Sequence, residues 1–233
     1  MEKVLSKQKI PAINSWSLKE ELKLVHIKVC GITSEEDAFQ IAQTNIWALG
    51  FIFVEESPRF INPDKARQII WNLPASIVKV GVFRNHPLED VQFVRSFCSL
   101  DLLQLHGEEP PQFCEKLGRN VIKAFGVDES FDPSVLEDYA KVVDFYLLDS
   151  AQRGKSGGLG IPFNWDKIKN IKKQISRPLI VAGGLRKENI VACIQALQPF
   201  AVDLNSGVES APGKKEARKL VEIIQILEKE VKK

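Results

Sequence analysis

VHIKVCGIT, residues 25–33, joins a β-branched run to the opening of a helix. Val25, Ile27 and Val29 alternate with His26, Lys28 and Cys30, the period-two pattern of a strand. Thr33 and Glu36 are spaced as a capping box ahead of Ala38, Ile41 and Ala42, so a helix follows at once. Cys-Gly-Ile-Thr stands where a dinucleotide-binding unit has its glycine-rich turn, which argues against that architecture. The same strand-then-helix unit recurs along the chain. Further strand-like runs are WALGFIF (47–53), IVKVGVF (77–83), LDLLQLH (100–106), NVIKAFGV (120–127), VDFYLLD (143–149), RPLIVAGG (177–184) and FAVDLNSG (200–207). Asn62-Pro63 reads as a cap followed by the first helical residue, and Pro87 and Pro110 suit first turns. In the last helix Ala217, Leu220, Val221, Ile224, Leu227 and Val231 form one apolar stripe. Eight such units predict an α/β chain closed into a (β/α)8 TIM barrel. A doubly wound open sheet shares the periodicity and is the alternative. With no linker or low-complexity run, residues 25–233 read as one catalytic domain and 1–24 as a short N-terminal extension. Leu18, Leu22 and Leu24 in that extension suit a short helix closing the lower end of the barrel.

The chain has 233 residues, 44% of them hydrophobic, enough for one substantial core. Thirty-two basic residues against 30 acidic ones leave no surplus charge to hold nucleic acid, which points to a small-molecule substrate. No apolar run reaches the roughly 18 residues of a membrane span. The first 24 residues lack the apolar core of a secretory signal and carry acids that transit peptides avoid, so a cytoplasmic location is expected. Cys30, Cys98, Cys114 and Cys193 are widely spaced, without a CxxC pair or a histidine at ligand spacing. Neither a disulfide framework nor a metal site is expected from them. Cys98, Cys114 and Cys193 fall in helical stretches and read as small buried hydrophobes. Cys30 instead ends a strand.

Strand parity points Lys28 and Cys30 of the first strand inward, with Gln104 and His106 of the fourth, Asp149 of the sixth and Asp203 of the eighth. Each has an ordinary structural use. A strand-end carboxylate caps loops, a lone cysteine packs inertly, Lys28 and Asp203 neutralise one another, and His106 satisfies a core hydrogen bond. Their convergence on the carboxyl ends of the strands, where this fold keeps its active sites, favours function. Gly183-Gly184 follows the seventh strand and Ser206-Gly207 the eighth, the two loops that cradle phosphate through backbone N–H groups in such barrels. The run Gly154–Gly160 after Asp149 is glycine-rich enough to fold over a ligand, and it lacks the spacing of a nucleotide-triphosphate loop.

KVCGIT (28–33), GFIF (50–53), SPR (57–59), GVF (81–83), QLHG (104–107), LLD (147–149), GGL (183–185) and DLNSGVE (203–209) occur in this order. From about Val25 to the last helix the chain resembles the phosphoribosylanthranilate isomerase family of tryptophan biosynthesis. That resemblance implies a cofactor-free Amadori rearrangement of N-(5-phosphoribosyl)anthranilate to its carboxyphenylamino deoxyribulose phosphate, by a monomer or homodimer. It implies Cys30 as general base, Asp149 as general acid and Arg59 beside the anthranilate carboxylate. Lys28, His106 and Asp203 fall in its substrate site, and Gly183, Gly184, Ser206 and Gly207 surround the phosphate. Proton removal by Cys30 calls for a lowered thiol pKa, with Lys28 as the nearby cation. Leu159, Asn164 and Asn205 depart from the family pattern and bear on rate and loop closure more than on reaction type. Two other readings stand beside this one: a different sugar-phosphate barrel enzyme, and a catalytically silent barrel used for binding. The first expects an aspartate in place of Cys30 or a lysine–glutamate set, and retention of both Cys30 and Asp149 weighs against the second.

Overall fold

In the computed structural model, which describes residues 25–128, 130–149, 169 and 175–232, the alternating runs close into a ring of eight parallel strands. These are β1 (His26–Cys30), β2 (Ala48–Ile52), β3 (Val78–Phe83), β4 (Leu102–Leu105), β5 (Val121–Gly126), β6 (Phe145–Asp149), β7 (Leu179–Ala182) and β8 (Ala201–Leu204). Because β8 pairs back onto β1, the sheet has no edge and the open-sheet alternative is excluded. The described helices are α1 (Glu35–Ala42), α2 (Pro63–Trp71), α3 (Leu88–Cys98), α4 (Pro111–Leu117), α5 (Val135–Tyr139), α6 (Ile190–Leu197) and α7 (Ala217–Lys232). A short hairpin, β9 (Glu209–Ala211) and β10 (Lys214–Lys215), lies between β8 and α7. The extension 1–24, the run Gly154–Gly160, Leu159 and Asn164 lie outside the described residues.

Parity sorts the side chains as the sequence predicts. Ile27 and Val29, Tyr146 and Leu148, and Val202 and Leu204 pack outward among the helices. Ala48, Val80, Ile122, Ala124, Leu147, Ile180 and Ala201 fill the interior. At the amino ends of the strands the rings of His26, Trp47, Phe145 and Phe200 meet with centroids 4.6–5.9 Å apart and close that end with apolar surface.

Several local starts differ from the sequence expectation by one residue. Ser34, not Thr33, caps α1: its Oγ accepts from the Asp37 N–H at 3.2 Å, while Thr33 donates its hydroxyl to the Gly213 carbonyl. Asn62 caps α2 with Pro63 in its first turn, as expected, whereas Pro87 and Pro110 occupy the cap positions of α3 and α4. In α7 the buried stripe is Leu220, Ile223 and Leu227, and Val221 is 38% exposed. Val221 lies about 100° around the helix from Leu220, which turns it away from the barrel. Cys98, Cys114 and Cys193 are buried as expected, and burial pushes the first two thiols up to about 11.

Candidate active site

Lys28 on β1 and Asp203 on β8 are register partners, so their inward side chains meet inside the barrel. The Lys28 Nζ donates to Asp203 Oδ2 at 2.7 Å, and both residues are buried. Burial opposes the lysine charge, but the neighbouring Asp203 and Cys30 outweigh it and hold the Lys28 pKa above its ordinary value. Burial also pushes the Asp203 carboxyl up against the pull of Lys28. Cys30 is the next inward position along β1, packed with Ile52, Val54 and Val82. Its register partner on β2 is Gly50, where a Cβ would come within 2.7 Å of the Cys30 Sγ. Glycine there leaves the room the thiol occupies.

The expected lowering of the Cys30 pKa is not met. Burial pushes this thiol up; Lys28 and Lys215 counter it only in part, and Asp203 adds to the rise. The physical reason is that the Lys28 charge is largely compensated by Asp203, while Ile52, Val54 and Val82 offer a thiolate no solvation.

Asp149 ends β6. Going round the ring through β7 and β8, β6 and β1 stand three places apart among eight strands, so Cys30 and Asp149 approach the mouth from well-separated sides. The Asp149 Oδ2 lies 3.6 Å from His106 Nε2. Gln104, two residues before His106 on the same face, donates from Nε2 to His106 Nδ1 at 3.2 Å. That bond leaves the ring proton on Nε2, facing Asp149. Burial lowers the His106 pKa; Asp149 pulls it back up, and Lys123 adds to the lowering. Among the described residues, Gln104 Oε1 and Asp203 Oδ1 are buried without hydrogen-bond partners, so polar acceptors line the interior beneath the mouth.

The loop that carries His106 is clamped from the outer side of the barrel. Lys123 on β5 donates to the carbonyls of Leu105 at 3.3 Å and Gly107 at 2.7 Å, and to Glu109 Oε2 at 3.0 Å. Glu109 in turn accepts from the N–H groups of Asn85 at 2.8 Å and Gly107 at 3.0 Å. Burial would raise the Glu109 carboxyl, but Lys123 and the backbone amides of Asn85 and of Glu109 itself hold it below its ordinary value.

Arg59, in the loop after β2, is 9% exposed. Its Nε lies 2.9 and 3.1 Å from the two Glu209 carboxylate oxygens, and its Nη2 lies 2.7 Å from Oε2. Glu209 also accepts from Lys215 Nζ at 2.7 Å. Sequence reasoning singled out Arg59 but not these two partners. Glu209 was visible only as the end of SGVE, and Lys215 reads as a solvated charge until β9 and β10 fold it inward.

Gly183 and Gly184 have φ of 95° and 59°, a left-handed pair that turns the chain sharply after β7. Ser206 opens a 3₁₀ turn, Ser206–Val208, after β8. A Cβ on Gly207 would fall 2.0 Å from the Leu185 carbonyl oxygen, so the two loops are packed directly on one another. Lys28, Cys30, Arg59, His106, Asp149, Asp203 and these four loop residues therefore lie within the barrel's upper half or at its carboxyl-end mouth. Among the described residues no three His, Cys, Asp or Glu side chains gather as a metal-holding set. No described helix is long and apolar enough to cross a membrane.

Residues 27–226 match the protein family described as N-(5'phosphoribosyl)anthranilate (PRA) isomerase. The chain is 45% identical over 204 residues to the N-(5'-phosphoribosyl)anthranilate isomerase of Geobacter metallireducens, covering 87% of this chain and 98% of that one. It is similar to a crystal structure of a phosphoribosyl anthranilate isomerase in complex with reduced 1-(o-carboxyphenylamino)-1-deoxyribulose 5-phosphate. There the TM-score is 0.75 and the identity 36%, across 88% of this chain and 99% of that one. Monomers generated from the dimeric isomerase of Thermotoga maritima give a TM-score of 0.75 at 36% identity, across 89% and 98%.

Proposed function

The chain belongs to the PRA isomerase family, an isomerase of tryptophan biosynthesis, and from that premise we propose how its own residues carry out the rearrangement. Asp149 donates a proton to the furanose ring oxygen of N-(5'-phosphoribosyl)anthranilate, and the aminal opens to a Schiff base. Cys30, as thiolate, then takes the proton from the sugar C2, and the resulting enolamine tautomerises to the ketone. Each proton transfer contributes about 10²–10⁴-fold when acid and base are well placed. The observation that carries this reading is the convergence of Cys30 on β1 and Asp149 on β6 at one mouth, the first beside the buried Lys28 and the second beside the part-exposed His106.

The raised Cys30 pKa fits this order of events. A protonated Schiff base beside the thiol is a cation that the free site lacks, so ring opening itself favours the thiolate. His106, with its proton on Nε2, orients the Asp149 carboxyl. Lys28, hydrogen-bonded to Asp203, holds the charge beneath the thiol. The packed loops after β7 and β8 offer Gly183, Gly184, Ser206 and Gly207 to the substrate phosphate through their backbone N–H groups. The guanidinium of Arg59 meets the anthranilate carboxylate. The enzyme takes this small sugar phosphate in the cytoplasm, as a monomer or a homodimer.

Product formation from freshly prepared phosphoribosylanthranilate tests the assignment, with Cys30→Ser and Asp149→Asn measured beside the parent. The expected result is a loss of at least about 10²-fold in each variant. Unchanged turnover in both removes Cys30 and Asp149 from the chemistry.

A further inference from the structure

The mouth holds two buried charges that the proton transfers do not use, Glu209 and Lys215. Both belong to the hairpin β9–β10 and both touch the Arg59 cluster. Arg59 presents one edge of its fork, Nε and Nη2, to the Glu209 carboxylate. Among the described residues the other edge, Nη1 with the second Nη2 proton, has no hydrogen-bond partner. A guanidinium held by one edge cannot turn about its side-chain axis, so the direction of the other edge is fixed.

Lys215 completes the arrangement from below. Its Nζ lies 2.7 Å from Glu209 Oε1, 2.9 Å from Asn205 Oδ1 and 3.4 Å from the Asn205 carbonyl. The amide oxygen of Asn205 supplies Lys215 with an acceptor. Two further charges border the cluster. Asp37 accepts the Lys215 backbone N–H at 2.8 Å, and Lys219 Nζ donates to the Glu209 carbonyl at 2.6 Å. Lys219 lies outside the buried cluster and pairs with Glu216 Oε2 at 3.0 Å, so the buried charges are Arg59 and Lys215 against Glu209 and Asp37.

We propose that Glu209 and Lys215 are positioning residues for the substrate's ring carboxylate. Glu209 aims the outer edge of Arg59 at that group, and Lys215, held by Asn205, fixes the Glu209 carboxylate that does the aiming. The inference rests on the reading of Arg59 given above and deepens it. Burial and the nearby Arg59 pull the Lys215 ammonium down despite Glu209 and Cys30, and an incoming carboxylate opposes both effects. Burial would raise Glu209, but Arg59 and Lys215 hold it low, so it stays ionised as the pivot of the cluster.

Two ligands separate positioning from mere support: reduced 1-(o-carboxyphenylamino)-1-deoxyribulose 5-phosphate, and its phenylamino counterpart without the carboxyl group. The parent should prefer the carboxylated ligand by about 10- to 100-fold in Kd, the range of hydrogen bonds to a charged group. In Lys215→Met and Glu209→Gln this preference should shrink to a few-fold, with Glu209→Asp restoring part of it. Equal losses for both ligands, with the preference intact, overturn the proposal. Should Lys215→Met not fold, Asn205→Ser removes only the amide acceptor and should still narrow the preference; an unchanged preference there also overturns it. Arg59→Met is the control on the underlying reading. If it keeps the full preference, Arg59 does not meet the carboxylate. If Arg59→Met loses the preference while the Glu209 and Lys215 variants keep it, only the present inference fails.

Discussion

At the amino ends of the strands the inward positions and their neighbours hold rings: His26, Trp47, Phe145 and Phe200 meet at tilted and edge-on angles as a plug. At the carboxyl ends, further along the same strands, the inward positions hold Cys30, His106 and Asp149. Between them run the alanines and aliphatic side chains of the interior, and the Lys28–Asp203 pair. The backbone pattern is the same at both ends. What changes is whether the side chains satisfy each other by apolar contact or stand over buried polar atoms without partners, as Gln104 Oε1 and Asp203 Oδ1 are just beneath the mouth among the described residues. An end that satisfies itself by apolar contact stabilises the barrel, whereas an end lined with polar side chains offers partners to a polar ligand.

The sharpest way to break this division is at a site that serves both purposes. Lys123 supports the His106 loop from outside the barrel, and Lys123→Met leaves Glu109 buried without its cation. Unfolding in urea should show a loss of about 3–5 kcal/mol, and Lys123→Met/Glu109→Leu should recover much of it. A single variant as stable as the parent would mean that the clamp contributes nothing to the fold.

A smaller effect is expected from Phe200→Ala in the aromatic plug, about 2–4 kcal/mol because Phe200 is only partly buried. Its kcat/KM per folded molecule should stay within about twofold of the parent, given the catalytic factors at stake. A large fall in kcat would show that the two ends are coupled and that the contrast drawn above is too simple.

The third test is a pH profile and sharpens the view of the carboxyl end. Burial holds the Cys30 pKa above its ordinary value, so the thiolate fraction in the free enzyme grows as pH rises. The kcat/KM should therefore climb through and beyond the ordinary thiol range near about 8.5. A profile already flat from pH 7 upward would show that Cys30 is ionised in the free enzyme.

Much of the fold was legible because period-two alternation and the count of eight units are local features that survive without tertiary information. The inward assignment of Lys28, Cys30, Gln104, His106, Asp149 and Asp203 follows from the same rule, and the structure places them so. What could not be read depends on distant parts of the chain. Arg59 and Glu209 are 150 positions apart, so their pairing has no local signature. The direction of the Cys30 shift is decided by apolar packing from Ile52 on β2 and Val82 on β3, which excludes water from a thiol that Lys28 alone would have favoured as thiolate. Ser34 and Thr33 both carry a capping hydroxyl, and only the seat of Thr33 against Gly213 decides between them.

The account turns on Cys30 as the group that takes the proton from the opened sugar. Turnover of phosphoribosylanthranilate deuterated at the ribose C2 tests this most directly, with Cys30→Ser and Asp149→Asn compared. Cys30→Ser makes the C2 transfer limiting and should show a full primary isotope effect on kcat, while Asp149→Asn, limited by ring opening, should show almost none. An isotope effect that emerges in Asp149→Asn and is missing in Cys30→Ser would contradict the assignment of base and acid.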